Sequence, residues 1–146
     1  AADSEVPLGN VYYYFKTKED LVRAVIDDRA AGLSAMMAGF EQRRTPAARL
    51  KALPRHWAEM REVVAQHGCP IGTLCADVDE AATLLHAIVD WAAEQFRSLG
   101  RRDAQDLAVT LVAGIQGASV LAQAFHDPEL LATQARGLER WIDSLG

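Results

Sequence analysis

From Thr17 to the C-terminus, apolar residues recur every three or four positions, so the chain can bury a continuous apolar face only by coiling into helices. An alternating pattern of useful length, the mark of a half-buried strand, is missing, and no internal repeat is found. The sequence therefore predicts an all-α architecture of about seven helices with short connections.

Punctuation residues place these helices. Val6-Pro7 suits a helix start, because proline presets φ and gives up an N–H that has no partner there; a short helix over about 7–15 is expected. Thr17, with Asp20 three residues on, predicts a capping-box-like start. Leu21, Ala24, Val25, Ala31, Leu33 and Met37 carry that long helix to about Phe40. Thr45-Pro46 marks the next start, Leu50, Leu53, Trp57, Met60, Val63 and Val64 its apolar stripe, and Gly68 its stop, with Pro54 expected to kink it or split its first turn. The segment GCPIGTLCADV reads as a turn leading into one or two helical turns. Asp77 with Glu80 is expected to cap a helix bearing Leu84, Leu85, Ile88, Trp91, Ala92, Phe96 and Leu99 up to Gly100. Asp103 with Asp106 opens another, with Leu107, Leu111, Ile115, Ala118, Leu121, Ala122 and Phe125 on one face; Asp127-Pro128-Glu129 opens the last, with Leu131, Leu138, Trp141, Ile142 and Leu145.

With 146 residues, 50% of them apolar, the chain can bury one sizeable core. Its formal net charge of -5 excludes binding nucleic acid or anionic membrane through the whole surface, so any nucleic-acid contact must be local. No stretch approaches the roughly 18 to 20 uninterrupted apolar residues of a membrane span, and the start lacks the basic-then-apolar pattern of a signal peptide. A cytoplasmic chain with no membrane partner is expected. Cys69 and Cys75 are too few for a disulfide scaffold and should start as thiols in a reducing compartment.

GNVYYYFKTKEDL, residues 9–21, is the most unusual stretch. Successive helical residues turn by about 100°, so Tyr12, Tyr13 and Tyr14 fan across about 200° and cannot all face one core. Val11 and Phe15 make the natural buried pair, leaving a face that is bare at Gly9 and aromatic beyond it. Such a face suits DNA: glycine lets the backbone approach base edges, Asn10 can pair with adenine, and tyrosine hydroxyls and Lys18 can reach phosphates. Packing at a domain interface is the alternative use of the rings.

VPLGNVYYYFKTKEDLVRAVI resembles the recognition helix and following linker helix of the tetracycline-repressor (TetR/AcrR) family of bacterial transcriptional regulators. The match is strong over about residues 6–26; beyond it only the order of helices agrees. The resemblance implies a homodimer that reads operator DNA and is released when a small-molecule effector binds. Residues 1–20 would be the end of a helix-turn-helix DNA-binding domain, and 21–146 a helical-bundle ligand-binding and dimerisation domain. It implies base contacts from Leu8, Gly9, Asn10 and Tyr13, and phosphate contacts from Tyr12, Tyr14 and Lys18. Many relatives have histidine where Tyr14 stands and a polar or basic residue where Leu8 stands, so the bases read stay open. The family's DNA-binding domain needs two helices before this one, and only AADSEV precedes Pro7; those helices are expected ahead of this sequence. They must also supply basic charge, since the first 20 residues set Asp3, Glu5, Glu19 and Asp20 against Lys16 and Lys18.

By the same resemblance, the helices from about Thr45 to Gly100 enclose a ligand pocket and the last two form a four-helix interface with a second copy. Aromatic and polar residues on the middle helices, namely Trp57, Met60, Cys75, His86 and Trp91, with His56 and Phe96 beside them, are the pocket candidates. Gly114 and Ala118, near Gly117, give a bare patch for close helix approach. Leu111, Ile115, Leu121, Trp141 and Ile142 add apolar area for a dimer, or equally for packing within the chain.

HGCPIGTLC allows two further readings. Cys69 lies beside a helix start and Cys75 within reach of an oxidised sulfur, which suggests a redox or electrophile sensor. His67, Cys69 and Cys75 make only a weak metal set. A phosphate-binding glycine loop, a nucleophile elbow and HExxH are all missing, and His56, His67, His86 and His126 form no catalytic pattern, so no enzyme and no cofactor is expected. A helical dimerisation module without DNA binding is the rival to the regulator.

Overall fold

A computed structural model describes residues 17–146, and among these the chain is all-helical. The helices are α1 (Lys18–Phe40), α2 (Pro46–Glu59), α3 (Arg61–His67), α4 (Pro70–Asp77), a 3-10 turn (Asp79–Ala81), α5 (Ala82–Ser98), α6 (Ala104–Phe125) and α7 (Pro128–Ser144). Residues 7–15, expected to form the tyrosine-bearing helix, lie outside the described residues.

Local side-chain chemistry starts three of these helices where expected. Thr17 Oγ1 accepts from the Asp20 amide at 3.1 Å, Thr45 Oγ1 from the Ala48 amide at 3.1 Å, and Asp127 Oδ1 from the Leu130 amide at 3.3 Å. Each satisfies one of the amides that the first helical turn leaves without a backbone partner. Two expected caps do not form. Asp77 ends α4, and α5 follows the 3-10 turn with no side-chain cap. Asp103 turns instead to Arg101, whose guanidinium donates to both carboxylate oxygens at 3.0 and 3.1 Å and holds the carboxyl below its ordinary range. A bidentate charged partner is a stronger hydrogen-bond donor than a neutral amide.

The expected helix from Thr45 to Gly68 breaks, but not at its proline. Pro54 sits within α2 with its ring fully buried. The break comes at Met60, where φ is -91° and ψ 10°. Arg61 steadies it by donating from Nη1 to the carbonyl of Ala58 at 3.0 Å. Gly68 then turns the chain at φ 83° and ψ 173°, a region open essentially only to glycine.

The core lies where α2, α5, α6 and α7 meet, and α3 closes its side against α6 and α7. Leu50, Leu53, Leu84, Ile88, Phe96, Leu111, Leu131 and Ile142 are fully buried there. Each such side chain contributes about 1.5–3 kcal/mol relative to full exposure. Surface ion pairs tie α2 and α3 to α7: Lys51 to Asp143 at 2.9 Å, Arg55 to Glu139, and Arg61 to Glu129 at 3.1 Å. At this exposure they contribute at most about 1 kcal/mol each, so apolar packing sets the fold.

Two helices depart from the core in opposite ways. α1 leans on α5 and α2 from outside and buries only Leu33 and Phe40. α6 is long and apolar enough by composition to cross a membrane, a test that a core helix also passes. Here it packs between α5 and α7, with Ala104, Ala108, Leu111, Ile115 and Ala118 buried against them.

Candidate ligand cavity

α1 presents one face over its last four turns to the α2 and α4 side of the molecule, and the two sides do not close. Between them lies a cavity of about 970 Å³. Such a volume is at the upper end of the range, about 300–1,000 Å³, common for small-molecule sites. Its α1 wall is built from small residues, Ala31, Gly32, Ala35 and Gly39, with Leu33, Met36 and Phe40 between them. Across the gap stand His56, Trp57 and Met60 of α2, and Cys69, Pro70 and Ile71 at the start of α4. A methyl group built on Gly32 or Gly39 would meet no atom within 4 Å, so the space reaches the α1 backbone.

Aromatic contacts fix the cavity's inner wall. The Phe40 ring meets His56 edge-on at 5.9 Å and Trp91 at 5.7 Å, and His56 meets Trp57 edge-on at 5.8 Å. Trp57 is nearly fully buried, and its indole N–H donates to Cys69 Sγ at 3.2 Å. That bond leaves the indole no unsatisfied polar atom. Gly72 N and Gln116 Nε2 also approach the same sulfur, at 3.5 and 3.6 Å.

Of the five expected pocket residues, Trp57 and Met60 line this cavity. Trp91 stands behind Phe40, where its N–H donates to Glu41 Oε1 at 3.0 Å and fastens α5 to the end of α1. His86 is exposed on α5. Cys75 lines a separate hollow of about 520 Å³ with Cys69, Leu85 and Gln116. Its thiol donates to the Ala81 carbonyl at 3.1 Å, and burial pushes the group up from its ordinary pKa, which keeps the proton on. Phe96 packs edge-on to Trp141 in the core at 6.0 Å. Met36, Phe40, Arg43 and Ile71 line the cavity without having been singled out. The run RAAGLSAMMAGF, a small-residue face facing bulky ones, was the available signal.

Among the described residues, no group of three or more His, Cys, Asp or Glu is placed to hold a metal ion. His67 is exposed while Cys69 is buried.

The expected dimer residues divide differently. Leu111, Ile115, Ala118 and Ile142 are buried within the chain, Trp141 packs on Phe96, and Leu138 of α7 fills the space over Gly114, 3.0 Å from where a methyl group would stand. Leu121 is exposed, and it belongs to a wider apolar face of α6 that includes Val109, Val120 and Phe125, the last two more than 60% exposed. Gly117, on the same side, has no neighbour within 4 Å of a built methyl group.

Of the expected DNA contacts, Leu8, Gly9, Asn10, Tyr12, Tyr13 and Tyr14 lie outside the described residues. Lys18 is exposed in the first turn of α1, beside Glu19 and Asp20. No protein-family model matches the chain, and no curated protein matches it with significance.

Proposed function

We propose that this chain belongs to a ligand-responsive DNA-binding transcriptional regulator, a homodimeric repressor that a small molecule releases from its operator. The observation that carries the proposal is that the helix forming one wall of the cavity follows the tyrosine-bearing segment directly in sequence. α1 begins directly after YYYFK and forms one whole wall of the cavity. A molecule bound there touches the element that would hold the recognition segment.

Loose anchoring makes that coupling effective. α1 has two buried residues, so its position rests on few contacts, and a ligand spanning the gap adds contacts to one position only. The ligand then shifts the population of α1 orientations by its difference in affinity between them. In a dimer, tilting two such arms changes the separation of two recognition segments, which must match half-sites about one helical turn, roughly 34 Å, apart.

The exposed apolar face of α6 supports self-association, because a run of Val120, Leu121 and Phe125 left in water is costly and Gly117 lets a second helix approach closely. The same face supports the rival, a dimerisation module that never meets DNA. Selection of DNA sequences by the full-length natural product separates the two. A palindrome is expected to be enriched, with changed preference for Tyr13→Ala and a shallower salt slope for Lys18→Ala. A folded dimer that enriches no sequence, with and without extracted ligand, would remove the regulator and leave the module.

A further inference from the structure

We infer that the cavity between α1 and α2/α4 takes an elongated single-chain amphiphile with an anionic head, of the long-chain carboxylate class. The inference deepens the regulator reading and rests on it for the effect on DNA, though not for binding itself.

Shape comes first. The lining positions on α1 run from Asp28 to Phe40 at spacings of three and four, which is one face of the helix. Twelve residues of helix extend roughly 18 Å, so the space is a groove several times longer than a single ring. Its floor of Ala31, Gly32, Ala35 and Gly39 is smooth and has no polar side chain. Met36 beside that floor and Met60 across from it supply flexible, polarisable surface that can follow a chain of changing conformation. A compact polar molecule would leave most of this surface wet; an extended hydrocarbon covers it.

Charge then sets the direction. Three formally charged residues line the groove, Asp28 and Arg29 at one end and Arg43 at the other. Asp28 and Arg29 form no ion pair among the described residues, but their formal charges cancel at that end, whereas no acidic residue lines the Arg43 end. Arg43 has no carboxylate within ion-pair distance among the described residues, and its end of the groove is where His56 stands. A carboxylate placed there meets a planar guanidinium suited to two parallel hydrogen bonds. The tail then runs past Phe40, Met36, Trp57 and Met60 toward Ile71.

The test is titration of the chain, below the micelle concentration of each probe, with hexadecanoate, octanoate, hexadecanol and hexadecyltrimethylammonium. Hexadecanoate is expected to bind once per chain, at least tenfold tighter than each of the other three. Arg43→Gln should weaken hexadecanoate about tenfold and leave hexadecanol unchanged. Gly39→Leu, whose side chain enters the open space, should abolish binding while the thermal midpoint stays within a few degrees of the parent.

Equal affinity for hexadecanol and hexadecanoate would overturn the anionic head, and equal affinity for octanoate the extended tail. Unchanged binding by a folded Gly39→Leu would place any lipid elsewhere, and loss of self-association in that variant would assign the groove to a second copy; either overturns the inference. If hexadecanoate binds as expected yet never alters DNA binding by the full-length protein, the ligand class stands and the regulator reading fails. If operator binding is real and hexadecanoate does not bind, the reverse holds.

Discussion

α1 and α6 are nearly equal in length, 23 and 22 residues, yet α1 buries two side chains and α6 eight. Helix length therefore says little about how firmly a helix is held; neighbours decide. α6 is wedged between α5 and α7, and every turn finds a partner. α1 has neighbours on one side and a cavity on another, so only Leu33 and Phe40 are buried, while Ile26, Met36 and Met37 pack against the core half-exposed. The two helices are thus held unequally, α6 on two sides and α1 on one, and the proposed transmission from a ligand to a distant segment would use that inequality.

The sharpest way to break this contrast is to make the same deletion in both helices. Leu111→Ala in α6 should cost about 4 kcal/mol in chemical denaturation, because the surrounding core closes poorly around the lost volume. Leu33→Ala in α1 should cost about 2 kcal/mol, with loss of amide protection confined to α1. Equal costs, with exchange spread over the whole chain, would mean that α1 is held as firmly as α6.

The contrast was partly legible in the sequence. Helix starts at Thr17, Thr45 and Asp127 were readable because a cap is a contact between residues three apart, which spacing alone encodes. Arg101's capture of Asp103 was missed even though it is local, because the carboxylate had two partners within reach and the spacing could not rank them. The break at Met60 was also hidden: neither glycine nor proline marks it, and Pro54, which carries the signal, is accommodated. Periodicity showed that Trp57 and Trp91 each face inward, but not that Trp57 borders empty space while Trp91 is covered by Phe40. A cavity is a missing neighbour, and it left its mark on the small-residue face of α1 rather than on Trp57 itself.

A smaller effect probes the turn from α3 into the cavity wall at α4. Gly68→Ala is expected to cost about 1–3 kcal/mol. Its backbone conformation excludes side chains, and the new methyl would also stand 2.7 Å from Gln123 Oε1. A loss near zero would show that Cys69 and Ile71 can reach the cavity by another path. The smallest effect should fall on α6 alone. His126 ends α6 in the left-handed region, at φ 52° and ψ 43°, so His126→Gly should raise stability by about 0.5 kcal/mol and leave ligand binding unaltered.

The bond from the Trp57 indole to the Cys69 sulfur also gives the molecule an optical signature. Thiols quench indole emission on contact, so of the three tryptophans Trp57 should be the dim one, while Trp91 and Trp141 supply a steady background. Any event that pulls Cys69 away from the ring would brighten the protein, and the wall of the cavity would then report its own rearrangement without an added label.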